Sequence, residues 1–128
     1  MYKRQLYRFA GLLRQGVCVV ASSDAPYGPV DPWRVIATAT TRRTRSGAML
    51  GGDERVTAEE ALRGYLTPGD RPNENLSFAQ ARAIKVGMPA DLCILQSEWS
   101  QRRAEAGTLG VRATLIGGSA VFDSAQGG

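Results

Sequence analysis

Apolar residues recur at helical spacing between Tyr2 and Gln15, at Leu6, Phe9, Ala10 and Leu13, with arginines on the other faces. Gly16 stands where glycine commonly ends a helix. The pattern then changes. Val17 to Ala21 is an unbroken apolar run, too short for a helix, closed by Ser22, Ser23 and Asp24. Such a run between two helices predicts a parallel strand buried on both faces. A loop with Pro26, Gly28 and Pro29 follows. Asp31 then supplies a cap and Pro32 fits the first helical turn. Trp33, Ile36, Ala37 and Thr40 predict the buried face of a helix running to about Arg43. Thr44 to Val56 holds three glycines and predicts an exposed loop. Thr57-Ala58-Glu59-Glu60 is a capping box, opening a helix that buries Ala61, Leu62, Tyr65 and Leu66 and stops before Pro68.

Pro68 to Asn75 is linker-like, and beyond it the period shortens. Ala83 to Val86, Leu92 to Leu95, Val111 to Ile116 and Ala120 to Phe122 are short β-rich runs between turn residues. Gly117-Gly118 predicts a two-residue hairpin turn. Gln96 to Leu109 is polar and partly helical in character. The first half thus reads β/α and the second antiparallel β, with a division at 1–70 and 71–128.

Length changes this picture. A chain of 128 residues makes one domain and cannot hold a complete (β/α)8 barrel of roughly 250 residues. No stretch approaches the roughly 20 apolar residues of a membrane span, and the basic start lacks the ordered parts of a signal peptide. The expectation is a cytoplasmic chain without a membrane partner. Cys18 and Cys93 lie in apolar runs and are expected as small buried hydrophobes, with a disulfide left open.

The net charge is +4, from 16 Lys and Arg against 12 Asp and Glu. Basic residues cluster at Lys3, Arg4, Arg8 and Arg14, and again at Arg42, Arg43 and Arg45. The second cluster suits a solvated helix C-terminus complementing its dipole. A nucleic-acid reader would add interleaved aromatics or a recognisable motif, and neither is present. Weak, sequence-independent nucleic-acid binding is therefore the least favoured partner class.

The candidate chemistry centres on Asp24, a carboxylate at the carboxyl end of the predicted strand, where catalytic groups of α/β barrels sit. Taken alone, it reads as a turn or capping aspartate. Ser22 and Ser23 read as loop hydrogen-bonders, since the chain has no histidine to activate a nucleophile. Asp91 reads as a turn residue bonding backbone amides. Trp33 and Trp99 read as partly buried aromatics, with Trp33 a secondary candidate for a pocket wall.

Several pieces, in order, resemble the C-terminal third of an amidohydrolase-superfamily enzyme. They are Gly16-Val17 into Ser22-Ser23-Asp24-Ala25-Pro26, Asp31-Pro32-Trp33, Thr41-Arg42-Arg43, Glu59-Glu60-Ala61-Leu62, Val86-Gly87-Met88-Pro89-Ala90-Asp91-Leu92 and Thr114-Leu115-Ile116-Gly117-Gly118. The branch resembled is that of metal-dependent hydrolases including the N-substituted formamide deformylases (amidohydrolase family 3). The resemblance implies a fold of α/β plus β type: the terminal β/α portion of a TIM barrel, then the C-terminal strands of a small β-sandwich. It places Asp24 as the catalytic carboxylate that contacts the metal or its water and relays a proton to the leaving amine. The implied cofactor is a divalent metal, zinc first. The implied reaction is hydrolysis of carbon–nitrogen bonds other than peptide bonds, in small amide or formamide substrates.

The resemblance also implies metal-ligating histidines on earlier strands, and this chain has none. A catalytic zinc typically takes three protein ligands, so Asp24 alone is expected to hold no metal. The expectation is a truncated or split enzyme, inactive by itself, whose partner is an N-terminal barrel polypeptide or a second copy. A non-catalytic interaction or oligomerising module is the alternative.

Overall fold

The computed structural model describes residues 7–68 and 83–125, apart from the side chains of 101–104. The predicted helix start at Tyr2, with Lys3, Arg4 and Leu6, and most of the Pro68–Asn75 linker lie outside the described residues. Helix α1 spans Phe9–Arg14. Gly16, at φ +73°, donates to the Leu13 carbonyl, and Val17 donates to that of Leu12 (2.9 and 3.0 Å). This is the paired closure that a left-handed glycine permits after a helix.

Helix α2, Pro32–Thr41, starts where Asp31 Oδ1 accepts from the Trp33 amide at 2.9 Å, with Pro32 in the first turn. Helix α3, Ala58–Leu66, carries the predicted capping box. The Glu60 amide donates to Thr57 Oγ1 (3.1 Å) and the Thr57 amide to Glu60 Oε2 (2.7 Å). Each start satisfies amides the helix leaves orphaned.

Three strands follow: β1 Leu92–Leu95, β2 Val111–Ile116 and β3 Ser119–Asp123. They form one antiparallel sheet in the order β1-β2-β3. Ile116 pairs with Ser119 across Gly117 and Gly118, both at positive φ, which is the hairpin geometry matching strand twist. Asp91 Oδ1 accepts from the Gly117 amide at 2.8 Å, tying the entry of β1 to this hairpin. Asp91 is structural, as expected, although its partner lies 26 residues away. Between β1 and β2 run α4, Trp99–Arg102, and a 3-10 segment, Arg103–Thr108.

The core gathers on α2. Ile36 is wholly inaccessible, packed among Ala10, Val56, Ala58, Ala61, Ala106 and Leu109. Ala106 and Leu109 come from beyond the linker, so both segments share this core. The Trp33 and Trp99 rings meet at 6.0 Å between centroids, tilted by 42°.

Four expectations are corrected. Val17–Ala21 is not a strand here. The run is extended, closed onto α1 at Val17 and tied to α3 at Ala21, whose amide donates to the Gly64 carbonyl at 3.0 Å. A strand exists only through a ladder partner, and no second strand lies beside this run among the described residues. Val17 and Val20 are consequently exposed rather than buried. Ala83–Val86 is likewise no strand, and Ile84 and Val86 stand free in solvent.

The loop from Thr44 to Val56 is not uniformly exposed. It holds a 3-10 turn, Gly52–Glu54, and buries Glu54 and Val56. Cys18 is half-buried and Cys93 exposed, so neither is the fully buried hydrophobe expected, and no disulfide joins them.

Candidate functional site

Asp24 sits at the tip of a turn that the preceding residues shape. Gly64 lets the Val17–Ala21 run lie against α3, since a Cβ there would come within 3.0 Å of the Ala21 Cβ. The chain leaves α3 at Ser22. The Asp24 amide then donates to Ser22 Oγ (3.4 Å) and the Ala25 amide to Ser23 Oγ (3.3 Å). Both serines therefore act as loop hydrogen-bonders.

The Asp24 carbonyl accepts from the amides of Tyr27 (2.9 Å) and Gly28 (3.0 Å), closing the turn. Asp24 itself adopts φ +53°, a left-handed conformation that aspartate tolerates better than most residues. Its carboxylate is exposed and accepts no hydrogen bond among the described residues. Trp33 is not brought to it. That ring lines a separate cavity between α2, α3 and the sheet.

The donor set does not suit a resident metal. The chain has no histidine, and no group of three Cys, Asp or Glu among the described residues converges on one point. Asp24 alone falls short of the three protein ligands that a catalytic zinc takes.

Arg42 corrects the expectation of a solvated basic cluster. It caps α2 in a left-handed conformation and turns inward, 8 % exposed. Its Nε donates to the carbonyls of Leu50 (2.9 Å) and Gly51 (3.3 Å), and Nη1 to that of Tyr7 (3.2 Å). A planar five-donor fork suits three converging carbonyls, and this role outweighs solvation. Arg43 Nη1 donates to the Gly47 carbonyl in its own loop, and Arg45 is exposed.

Sequence reasoning missed Glu54. Its side chain, 5 % exposed, accepts from the Gly11 amide inside α1 at 2.6 Å. Arg14 lies 3.6 Å and Arg8 4.0 Å from the same carboxylate. Gly11 leaves room for this contact, since a Cβ there would stand 2.9 Å from Glu54 Oε1 and the carboxylate would have to shift. The one signal in the sequence is a glycine between two arginines at helical spacing. Glu54→Ala leaves a buried amide unpaired and is expected to cost about 2 kcal/mol. Glu54→Gln, which keeps an acceptor, should cost less. Urea unfolding of both variants checks this order.

Two groups give a pH dependence. Burial, and secondarily the nearby Asp31 carboxylate, pushes the Tyr65 hydroxyl above the ordinary tyrosine range. Partial desolvation against the sheet also pushes the Cys93 thiol up, although the residue as a whole is exposed. Both groups hold their protons more tightly folded than unfolded. Their stability contribution is therefore complete below the ordinary thiol range and falls as pH rises through about 9 to 11. Thermal unfolding across that window should show a declining midpoint, less steep in Tyr65→Phe.

Residues 3–122 match the profile of the amidohydrolase family. The chain belongs to that family. Over 95 residues this amidohydrolase-family chain is 35% identical to an N-substituted formamide deformylase of Arthrobacter pascens. The match covers 73% of this chain and 17% of the relative, so the chain spans a small part of that protein's length. No solved structure matches this member of the amidohydrolase family. No described helix of it is long and apolar enough to cross a membrane.

Proposed function

We propose that this chain supplies the Asp24 arm of an amidohydrolase-family site that hydrolyses non-peptide carbon–nitrogen bonds in small amide or formamide substrates. The observation that carries the reading is Asp24 itself. It is an exposed carboxylate held at φ +53° by a turn whose approach is docked on α3. Backbone strain of this kind concentrates at functional sites. In the reaction, water oxygen bonds to the substrate carbonyl carbon and the carbon–nitrogen bond breaks. Asp24 takes the water's proton and passes it to the leaving nitrogen, giving a carboxylic acid and an amine.

On this reading residues 1–70 are the last β/α portion of a barrel, and 71–128 the C-terminal strands of a composite sandwich. Ligands for a divalent cation, zinc first, belong to strands outside these 128 residues. The exposure of Val17, Val20, Ile84 and Val86 supports further polypeptide covering both segments, from an N-terminal barrel portion or a second copy. The inward turn of Arg42 takes one cation out of the basic run and weakens the nucleic-acid alternative. Amine release from N-substituted formamides, by this chain assembled with the N-terminal remainder of a family member, tests the proposal. No release from a correctly assembled complex would defeat it.

A further inference from the structure

The turn that carries Asp24 depends on one close approach. Within residues 22–30 only Ser23 and Gly28 are half-buried, and the others are exposed. Those two lie against each other. The Gly28 amide donates to the Asp24 carbonyl at 3.0 Å, beside the Tyr27 amide at 2.9 Å, which brings the Gly28 Cα up to the Ser23 carbonyl. A Cβ at position 28 would collide with that carbonyl oxygen, and the obstacle is backbone rather than a side chain that could swing aside. Gly28 lies outside the left-handed region, so it supplies space there and not an unusual φ. We propose that Gly28 is the positioning residue for the Asp24 carboxylate, through the space it leaves beside the Ser23 carbonyl.

The link runs through a single peptide plane. The Ser23 carbonyl and the Asp24 amide belong to it, so turning the carbonyl away from a Cβ rotates Asp24 about φ. Position 28 has little freedom to yield instead. Its amide is held by the Asp24 carbonyl, and Pro29 confines a side-chain-bearing residue before it to extended backbone. Asp24, at φ +53°, occupies the small left-handed well, which a modest rotation leaves. Its carboxylate would then be aimed elsewhere. The inference rests on the Asp24 reading and adds what directs that carboxylate.

NMR and kinetics together test it. In the 128-residue chain, couplings that report φ should place Asp24 in the left-handed region. Gly28→Ala should move it out while leaving the unfolding temperature close to the parent's. In the chain assembled with the N-terminal remainder of a family member, Gly28→Ala should lower kcat for an N-substituted formamide about tenfold or more, with KM little changed. Added to Asp24→Asn, the same substitution should cost nothing further, because the group it directs is already gone. Asp24 at negative φ in the parent, or left at positive φ in Gly28→Ala, would overturn the inference without any assembly. So would an equal loss of kcat with and without the Asp24 carboxylate, which marks a purely structural role. A collapse of the unfolding temperature would overturn it too, by showing that Gly28 holds the fold rather than the turn. Lowered kcat in Asp24→Asn with undiminished kcat in Gly28→Ala defeats this inference alone. Undiminished kcat in Asp24→Asn defeats the Asp24 reading along with it.

Discussion

Replacing Ile36 by alanine should remove about 3 kcal/mol of stability, the largest loss expected from any single core change. Ile36 is the one large side chain wholly shut off from solvent among the described residues. Its neighbours are small. Alanines at 10, 58, 61 and 106 line the space around it, so little can move in to refill the void. Ile36→Val, which keeps most of the volume, should cost only about 1 kcal/mol. Domains of this length typically have roughly 5–15 kcal/mol in all, so the alanine variant would be visibly destabilised. Urea unfolding of both variants gives the comparison. Equal costs would mean that the core does not depend on Ile36.

The features legible in the sequence were those governed by neighbours along the chain. Asp31-Pro32 opens α2 and the Thr57–Glu60 box opens α3, because capping is settled within four residues. Gly16 ends α1, and Gly117-Gly118 turns β2 into β3, because both need positive φ. What escaped was set by partners distant in sequence. Val17–Ala21 has the composition of a strand, but pairing comes from other strands and composition cannot supply them. Arg42 reads as surface charge until the carbonyls of Leu50, Gly51 and Tyr7 surround it. Glu54 reads as loop charge until the Gly11 amide meets it.

The second large effect concerns Asp24. A carboxylate that both accepts and delivers the proton contributes roughly 10²- to 10⁴-fold to the rate. Asn keeps the side-chain shape and tolerates φ +53°, so Asp24→Asn should leave the turn intact while removing the proton acceptor. Alanine would be a poorer probe, because its loss of activity would mix chemistry with backbone strain. A proton relay affects turnover rather than substrate binding, so kcat should fall with little change in KM. The unfolding temperature of the variant should stay close to that of the parent chain.

The most direct measurement is amine release from an N-substituted formamide by this chain assembled with the N-terminal remainder of a family member, comparing the parent chain with its Asp24→Asn variant. The account predicts activity in the assembled parent, none from the 128 residues alone, and a fall of about a hundredfold or more in kcat for the variant. Undiminished turnover in assembled Asp24→Asn would contradict it.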